Sequence, residues 1–187
     1  NGFREERSWH ELNLNVSKIS KFLKSIKIKK KDRIAAYLPN SIETVEAFIS
    51  SSSLGAIWSS CSPDFGVKGV VERFSQINPK VLFATDKYFY NGKIINILEK
   101  IPHILKEIPS IKYVVVVNYP GQKYLYNKHK LKKVKIFKWN ELVKTKAEKV
   151  RFPKFDFEQE LAILYSSGTT GKPKCICHRS GGVLLQH

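Results

Sequence analysis

The chain of 187 residues has no methionine, only three cysteines, and half as many acidic side chains as basic ones, 16 against 33. Each shortage excludes something. Without methionine the sequence does not start at an initiator, and it reads as a piece of something longer. Three cysteines, an odd number, make no secreted disulfide framework and suit a reducing, intracellular compartment. The run Cys175-Ile176-Cys177-His178 lacks a second ligand pair at zinc-finger spacing, so no metal is assigned to it. On a strand, Cys175 and Cys177 would share one face as small buried residues. No apolar run approaches the ~18 residues of a membrane span. The segment Asn1-Gly2-Phe3-Arg4-Glu5-Glu6-Arg7 holds no signal-peptide core. The expectation is a cytosolic protein without a membrane span.

The scarcity of acid leaves a formal charge of +17. Such an imbalance raises a nucleic-acid or anionic-membrane reading. The excess is mostly lysine, whereas base readout and bidentate phosphate clamps favour arginine. Basic and aromatic residues are not interleaved as single-strand binders require. The stretches Lys27 to Lys31 and Lys128 to Lys138 read as solvated surface, and no specific nucleic-acid partner is expected. A lysine-rich nucleic-acid module stays as the remote alternative, open to a salt-dependent gel shift.

What the chain does have is enough apolar material for one domain: 42% hydrophobic and 12% aromatic residues. Trp9, Leu12, Val16, Ile19 and Leu23 recur at helical steps and predict a helix over 9–25. Strands are predicted at 33–38, at Gly55-Ala56-Ile57-Trp58-Ser59, at 81–85 and at 113–117. The last is β-branched and unalternating, as in a strand buried on both faces. Between them, Asn40 with Glu43 suggests a capping box. Val70, Phe74 and Ile77 mark a helical face, and residues 94–106 read as a helix kinked at Pro102. Residues 119–150 are polar and irregular, with a short helix near Trp139 to Lys144. Gly181-Gly182-Val183-Leu184-Leu185-Gln186-His187 resembles a helix cut short. This alternation predicts an α/β fold layered on a mainly parallel sheet.

The chemistry concentrates in Tyr165-Ser166-Ser167-Gly168-Thr169-Thr170-Gly171-Lys172-Pro173-Lys174, behind the apolar run Leu161-Ala162-Ile163-Leu164. That run reads as a buried strand. Glycines let backbone N–H groups approach an anion, and hydroxyls and lysines add donors and charge. This is a polyphosphate site in outline. It is not a Walker A loop, which needs four residues between its glycines and Ser or Thr after Gly-Lys. Here two residues intervene, and Pro173 blocks a lysine-led helix.

With these residues the chain resembles the adenylate-forming superfamily of acyl-CoA synthetases, whose ATP phosphate loop reads Ser-Ser-Gly-Thr-Thr-Gly-x-Pro-Lys. Further segments are similar to its acetoacetate branch rather than its acetate or propionate branches. They are Cys61-Ser62-Pro63-Asp64-Phe65-Gly66, Arg73-Phe74-Ser75-Gln76-Ile77-Asn78-Pro79-Lys80, Tyr90-Asn91-Gly92-Lys93, Pro173-Lys174-Cys175 with His178, and Gly181-Gly182 before Gln186-His187. The likeness runs from about Trp9 to His187 and is poor between Tyr119 and Phe155.

The resemblance implies that residues 1–187 are part of the large N-terminal, AMP-binding domain of a ligase, truncated at both ends. It implies ATP, magnesium, coenzyme A and acetoacetate as its small molecules; acetate or propionate is the alternative acid. Ser166, Ser167, Gly168, Thr169, Thr170, Gly171, Lys172 and Lys174 would meet the ATP phosphates, with Lys174 the stronger charge. Coenzyme A would touch Ser62-Pro63-Asp64 and the turn Asn91, Gly92 and Lys93, where Lys93 is equally well a solvated turn residue. No carboxylate is assigned to magnesium, and His178 and His187 receive no role. The family's adenine and ribose motifs and its adenylation lysine do not occur in this sequence, so the piece alone is expected to be inactive.

Overall fold

The computed structural model describes residues 4–119, 134–149, 152–167 and 171–186. Helix α1, Trp9–Ser25, begins at a capping box. The Ser8 side chain accepts from the Glu11 amide at 3.2 Å, and the Glu11 carboxylate accepts from the Ser8 amide at 2.9 Å. Its apolar stripe buries Val16, Ile19, Phe22 and Leu23. There follow β1 (Arg33–Tyr37), α2 (Ile42–Ser52), β2 (Ile57–Cys61), α3 (Val67–Phe74), β3 (Val81–Thr85), β4 (Lys87–Tyr90) and β5 (Lys93–Asn96). After these come α4 (Ile101–Glu107), β6 (Tyr113–Val117), β7 (Lys135–Lys138), α5 (Trp139–Leu142), β8 (Glu160–Ser166), β9 (Lys174–Arg179) and α6 (Ser180–Gln186).

Seven strands form one sheet in the order β7-β6-β3-β1-β2-β8-β9, and β4 and β5 make a separate two-stranded hairpin. Every neighbouring pair in the large sheet is parallel except β8 with β9. Strand residues alternate between two cores. Ile34, Ala36, Phe83 and Val115 pack with α1, α2 and Trp139 on one face. Ala35, Tyr37, Leu82, Ala84 and Val114 pack with Val70 and Phe74 of α3 and Ile101 and Ile104 of α4 on the other. The result is the layered α/β arrangement expected from the alternating pattern. Because β2 lies on one side of β1 and β3 on the other, the connections change direction at β1. In such sheets, ligands bind outside the carboxyl ends of the strands near this point.

Several elements differ from expectation. The residue before α2 is Ser41, not Asn40, and its side chain makes no capping bond. The second strand lies two residues later, at Ile57–Cys61. Residues 94–106 are not one kinked helix. The first of them belong to β5, and Pro102 sits in the first turn of α4, where a missing N–H costs nothing. Strand β7 lies within the stretch read as irregular, held by parallel pairing with β6. The short helix near Trp139 is present as α5.

Candidate nucleotide-phosphate site

Strand β8 reaches the carboxyl edge of the sheet at Ser166, and β9 starts back from it at Lys174. Antiparallel register sets these two residues opposite each other, with Tyr165 opposite Cys175. The glycine- and hydroxyl-rich segment is therefore the connection between two paired strands, with its serine and lysine ends held side by side. Gly168, Thr169 and Thr170 lie outside the described residues. Of the rest, Ser167, Lys172 and Lys174 are exposed and Ser166 is half-buried. Gly171 has φ +126°, a conformation that residues with a side chain rarely adopt.

Each flank of the connection is anchored at the end of α3 or just beyond it. On the outgoing side, Ile163 and Tyr165 face the core under α3. The Tyr165 hydroxyl donates to the Arg73 carbonyl at 3.0 Å, and Ser59 of β2 donates to the Ile163 carbonyl at 2.8 Å. Burial, the largest influence, pushes the Tyr165 hydroxyl up, so it remains a donor at neutral pH. On the return side, the Gln76 amide donates to the Pro173 carbonyl at 2.9 Å. The Arg73 guanidinium stacks 4.3 Å from the Phe65 ring and donates to the Gly69 carbonyl at 2.9 Å. The sequence marked Arg73 and Gln76 only as part of a resemblance; their grip on a strand ninety residues away was not visible in it.

A second cluster lies on the same edge, where β1, β2 and the hairpin meet. The Tyr37 hydroxyl donates to the carbonyls of Pro63, at 3.0 Å, and of Phe65, holding the loop after β2. The Lys100 ammonium donates to the Tyr37 oxygen at 3.2 Å and lies 5.9 Å from the Tyr88 ring. Burial pulls Lys100 down, and Asp64 opposes it. The Ser62-Pro63-Asp64 loop and the β4–β5 hairpin are thus joined through Lys100 and Tyr88, neither of which sequence reasoning had singled out. At the hairpin tip, Asn91 (φ +45°) and Gly92 (φ +74°) form the two positive-φ positions of a type I′ turn, and Lys93 follows, exposed.

Other expectations change. Strand β8 is only partly covered, with Leu164 48% exposed. Cys175 and Cys177 do alternate onto one face of β9, but both are exposed. Cys61 is the buried thiol, pushed by burial up to about 12. His178 pairs with Ala162, down the strand from the loop. A polar cleft of about 470 Å³ opens at the amino ends of β1 and β8, but its lysines and Arg179 face Asp156, Glu158 and Glu160. Ion pairs Lys30–Asp156 and Arg179–Glu158 already balance charge there. Among the described residues, no group of three or more His, Cys, Asp or Glu could hold a metal ion. No helix among them is long and apolar enough to cross a membrane.

A family model described as AMP-binding enzyme matches residues 2–186. The acetoacetyl-CoA synthetase of Gallus gallus is 42% identical over 183 residues, which are 96% of this chain and 27% of that protein. The acetoacetyl-coenzyme A synthetase of Rhizobium meliloti is 40% identical over 96% of the chain and 27% of its own length. A malonamoyl-CoA synthetase of Penicillium aethiopicum is 36% identical over 100% of the chain and 26% of its own. Among solved structures, acetoacetyl-CoA synthetase from Streptomyces lividans superposes with a TM-score of 0.85 at 33% identity, covering 96% of this chain and 26% of that one. The chain therefore spans about a quarter of the length of the relatives that it matches.

Proposed function

The chain belongs to the AMP-binding enzyme family, and on that footing we propose that the protein carrying it joins acetoacetate to coenzyme A with ATP. Residues 1–187 are read as part of its large N-terminal domain. The observation that carries the proposal is about 40% identity, over nearly the whole chain, to animal and bacterial proteins named acetoacetyl-CoA synthetase. The acetoacetate carboxylate attacks the α-phosphate of ATP, forming acyl-adenylate and releasing pyrophosphate. The thiol of coenzyme A then attacks the acyl carbonyl and AMP departs.

The chain's own contribution is to hold the polyphosphate. Donors of the segment from Ser166 to Lys174 meet the β- and γ-phosphates, where fixed donors and charge stabilise the negative charge that builds on the departing pyrophosphate. The register pair Ser166–Lys174 supports this reading, because it brings a hydroxyl and an ammonium to one place. Asn91, Gly92 and Lys93, with the Ser62-Pro63-Asp64 loop, would meet coenzyme A, Lys93 pairing with a phosphate of its nucleotide end. Magnesium would travel with the ATP. It characteristically takes substrate phosphates and water as most of its ligands, which suits an edge without an acidic cluster among the described residues. Three free thiols fit a cytosolic setting.

Comparing kcat/KM for acetoacetate and acetate in the full-length protein tests the proposal. A marked preference for acetoacetate is expected, and a preference for acetate overturns it. The malonamoyl-CoA synthetase relative favours a second reading, another short acid with a carbonyl at its third carbon; malonamate belongs in the same comparison. A second test concerns the lysines. Lys174 is fixed as the first residue of β9, whereas Lys172 lies in the turn before it. Lys174→Ala is expected to lose ~2–4 kcal/mol of transition-state stabilisation in ATP–pyrophosphate exchange, and Lys172→Ala much less. Equal losses would mean that Lys174 is misassigned as the stronger of the two charges.

A further inference from the structure

We propose that Gln76 is a positioning residue for the phosphate loop, holding the Pro173 carbonyl before Lys174 and the Cys175 thiol after it. The inference rests on the phosphate-binding reading of that loop and adds to it a residue that touches no substrate. Gln76 follows the end of α3 and uses its whole amide group. One N–H serves the Glu72 carbonyl at 2.7 Å, the other the Pro173 carbonyl at 2.9 Å. Its oxygen accepts the Cys175 thiol at 3.5 Å. The first bond is an ordinary helix-end contact and needs no functional explanation. The other two are different. They reach residues 97 and 99 positions away, and these residues flank Lys174 directly.

The chemistry of Pro173 makes that grip specific. A proline has no N–H, so its carbonyl is the one backbone group through which the chain at this point can be tied down. Ordinary β-ladder pairing with β8 begins at Lys174. Gln76 therefore supplies the tether one residue earlier, where the loop becomes strand. The outgoing flank is tied to the end of α3 by Tyr165 on the Arg73 carbonyl. Arg73 at the end of α3 and Gln76 just beyond it thus hold both flanks of the loop, and the Gln76 bonds lie on either side of Lys174. Displacing a charge by about 1 Å in a preorganised site costs rate steeply.

The test uses the full-length protein and separates the half-reactions. Gln76→Leu keeps the side chain's bulk and removes both remote bonds. Gln76→Glu keeps the acceptor for Cys175, cannot donate to Pro173 and adds a negative charge near the phosphates. In ATP–pyrophosphate exchange, kcat/KM for ATP is expected to fall about tenfold for Gln76→Leu and further for Gln76→Glu. The KM for coenzyme A in the second half-reaction and the melting temperature should stay at wild-type values. Wild-type ATP kinetics in both variants, with Lys174→Ala still impaired, would overturn this inference alone. Unimpaired Lys174→Ala as well would remove the phosphate-loop reading beneath it. Equal losses towards ATP and coenzyme A, with a lower melting temperature, would reduce Gln76 to a structural residue and overturn the proposal.

Discussion

Glu46 is a fully buried carboxylate on the core-facing side of α2. Arg7 donates to it at 2.8 Å and Asn15 at 3.0 Å, yet its second oxygen has no hydrogen-bond partner among the described residues. Burial pushes its pKa up; the bonds from Arg7 and Asn15 pull down without cancelling the rise, and Glu43 adds to it. A carboxyl raised in the folded state binds more protons folded than unfolded. Its contribution to stability is therefore whole below the ordinary carboxylate value and fades as pH climbs through the folded value. Glu46→Gln keeps an acceptor for Arg7 and removes the titration. The melting temperature of the wild type minus that of Glu46→Gln is expected to decline as pH rises above the ordinary carboxylate range; a constant difference would clear Glu46 of any part in the pH response. None of this was legible in the sequence. A glutamate in a helix reads as solvent-facing, and its partner Arg7 lies 39 positions away. The helical steps of Val16, Ile19 and Leu23, by contrast, announced their burial correctly, because a repeating apolar stripe is a local signal.

At the scale of elements, β3 and β6 could be read to the residue, since a continuous, mainly apolar run without alternation suits a strand covered on both faces. Residues 94–106 misled for an equally physical reason. Ile94, Ile97, Ile101 and Ile104 are spaced like a helical face, but Ile94 belongs to β5, whose pairing with β4 overrides the pattern. The better signal was Asn91-Gly92, the dipeptide that a two-residue hairpin turn demands. At Gly92, φ is +74° and an added Cβ would meet no atom within 4 Å, so an alanine there is strained by its backbone alone. Gly92→Ala is expected to cost about 1 kcal/mol, read as a lower urea midpoint, and to raise the KM for coenzyme A if the tip meets that ligand. Asn91→Gly should leave stability unchanged. An unaltered urea midpoint in Gly92→Ala would show that the turn tolerates the substitution and is not held as a type I′ turn. The glycine- and hydroxyl-rich segment read as phosphate-binding stands out in the sequence, whereas the bonds that hold its flanks do not, because Tyr165, Ser59 and Gln76 meet their partners only in the folded chain.

For the molecule as a whole, alternation of strands and helices was enough to foresee a layered parallel sheet, but not the order of its strands. That order has an outcome in time. Residues 33–117 contain β1, β2, β3 and β6, the four adjacent central strands, and both cores form largely from this span. Strand β8 joins them only later in the sequence, beside β2, where Trp58 lies opposite Ala162. A polypeptide leaves the ribosome N-terminus first, at roughly 5–20 residues per second, and compact units form as they emerge. Arrested nascent chains should gain protease protection over β1, β3 and β6 once residue 117 is outside the exit tunnel, and over Tyr165 only after β9 has followed. Protection of the central strands that waits for β8 would overturn this order. On this schedule the growing polypeptide carries a finished, protease-resistant platform well before the proposed phosphate-binding segment has emerged. Premature termination in that interval would leave the cell a folded protein without that segment, and, on the proposed function, one that no abundance of ATP could rescue by binding.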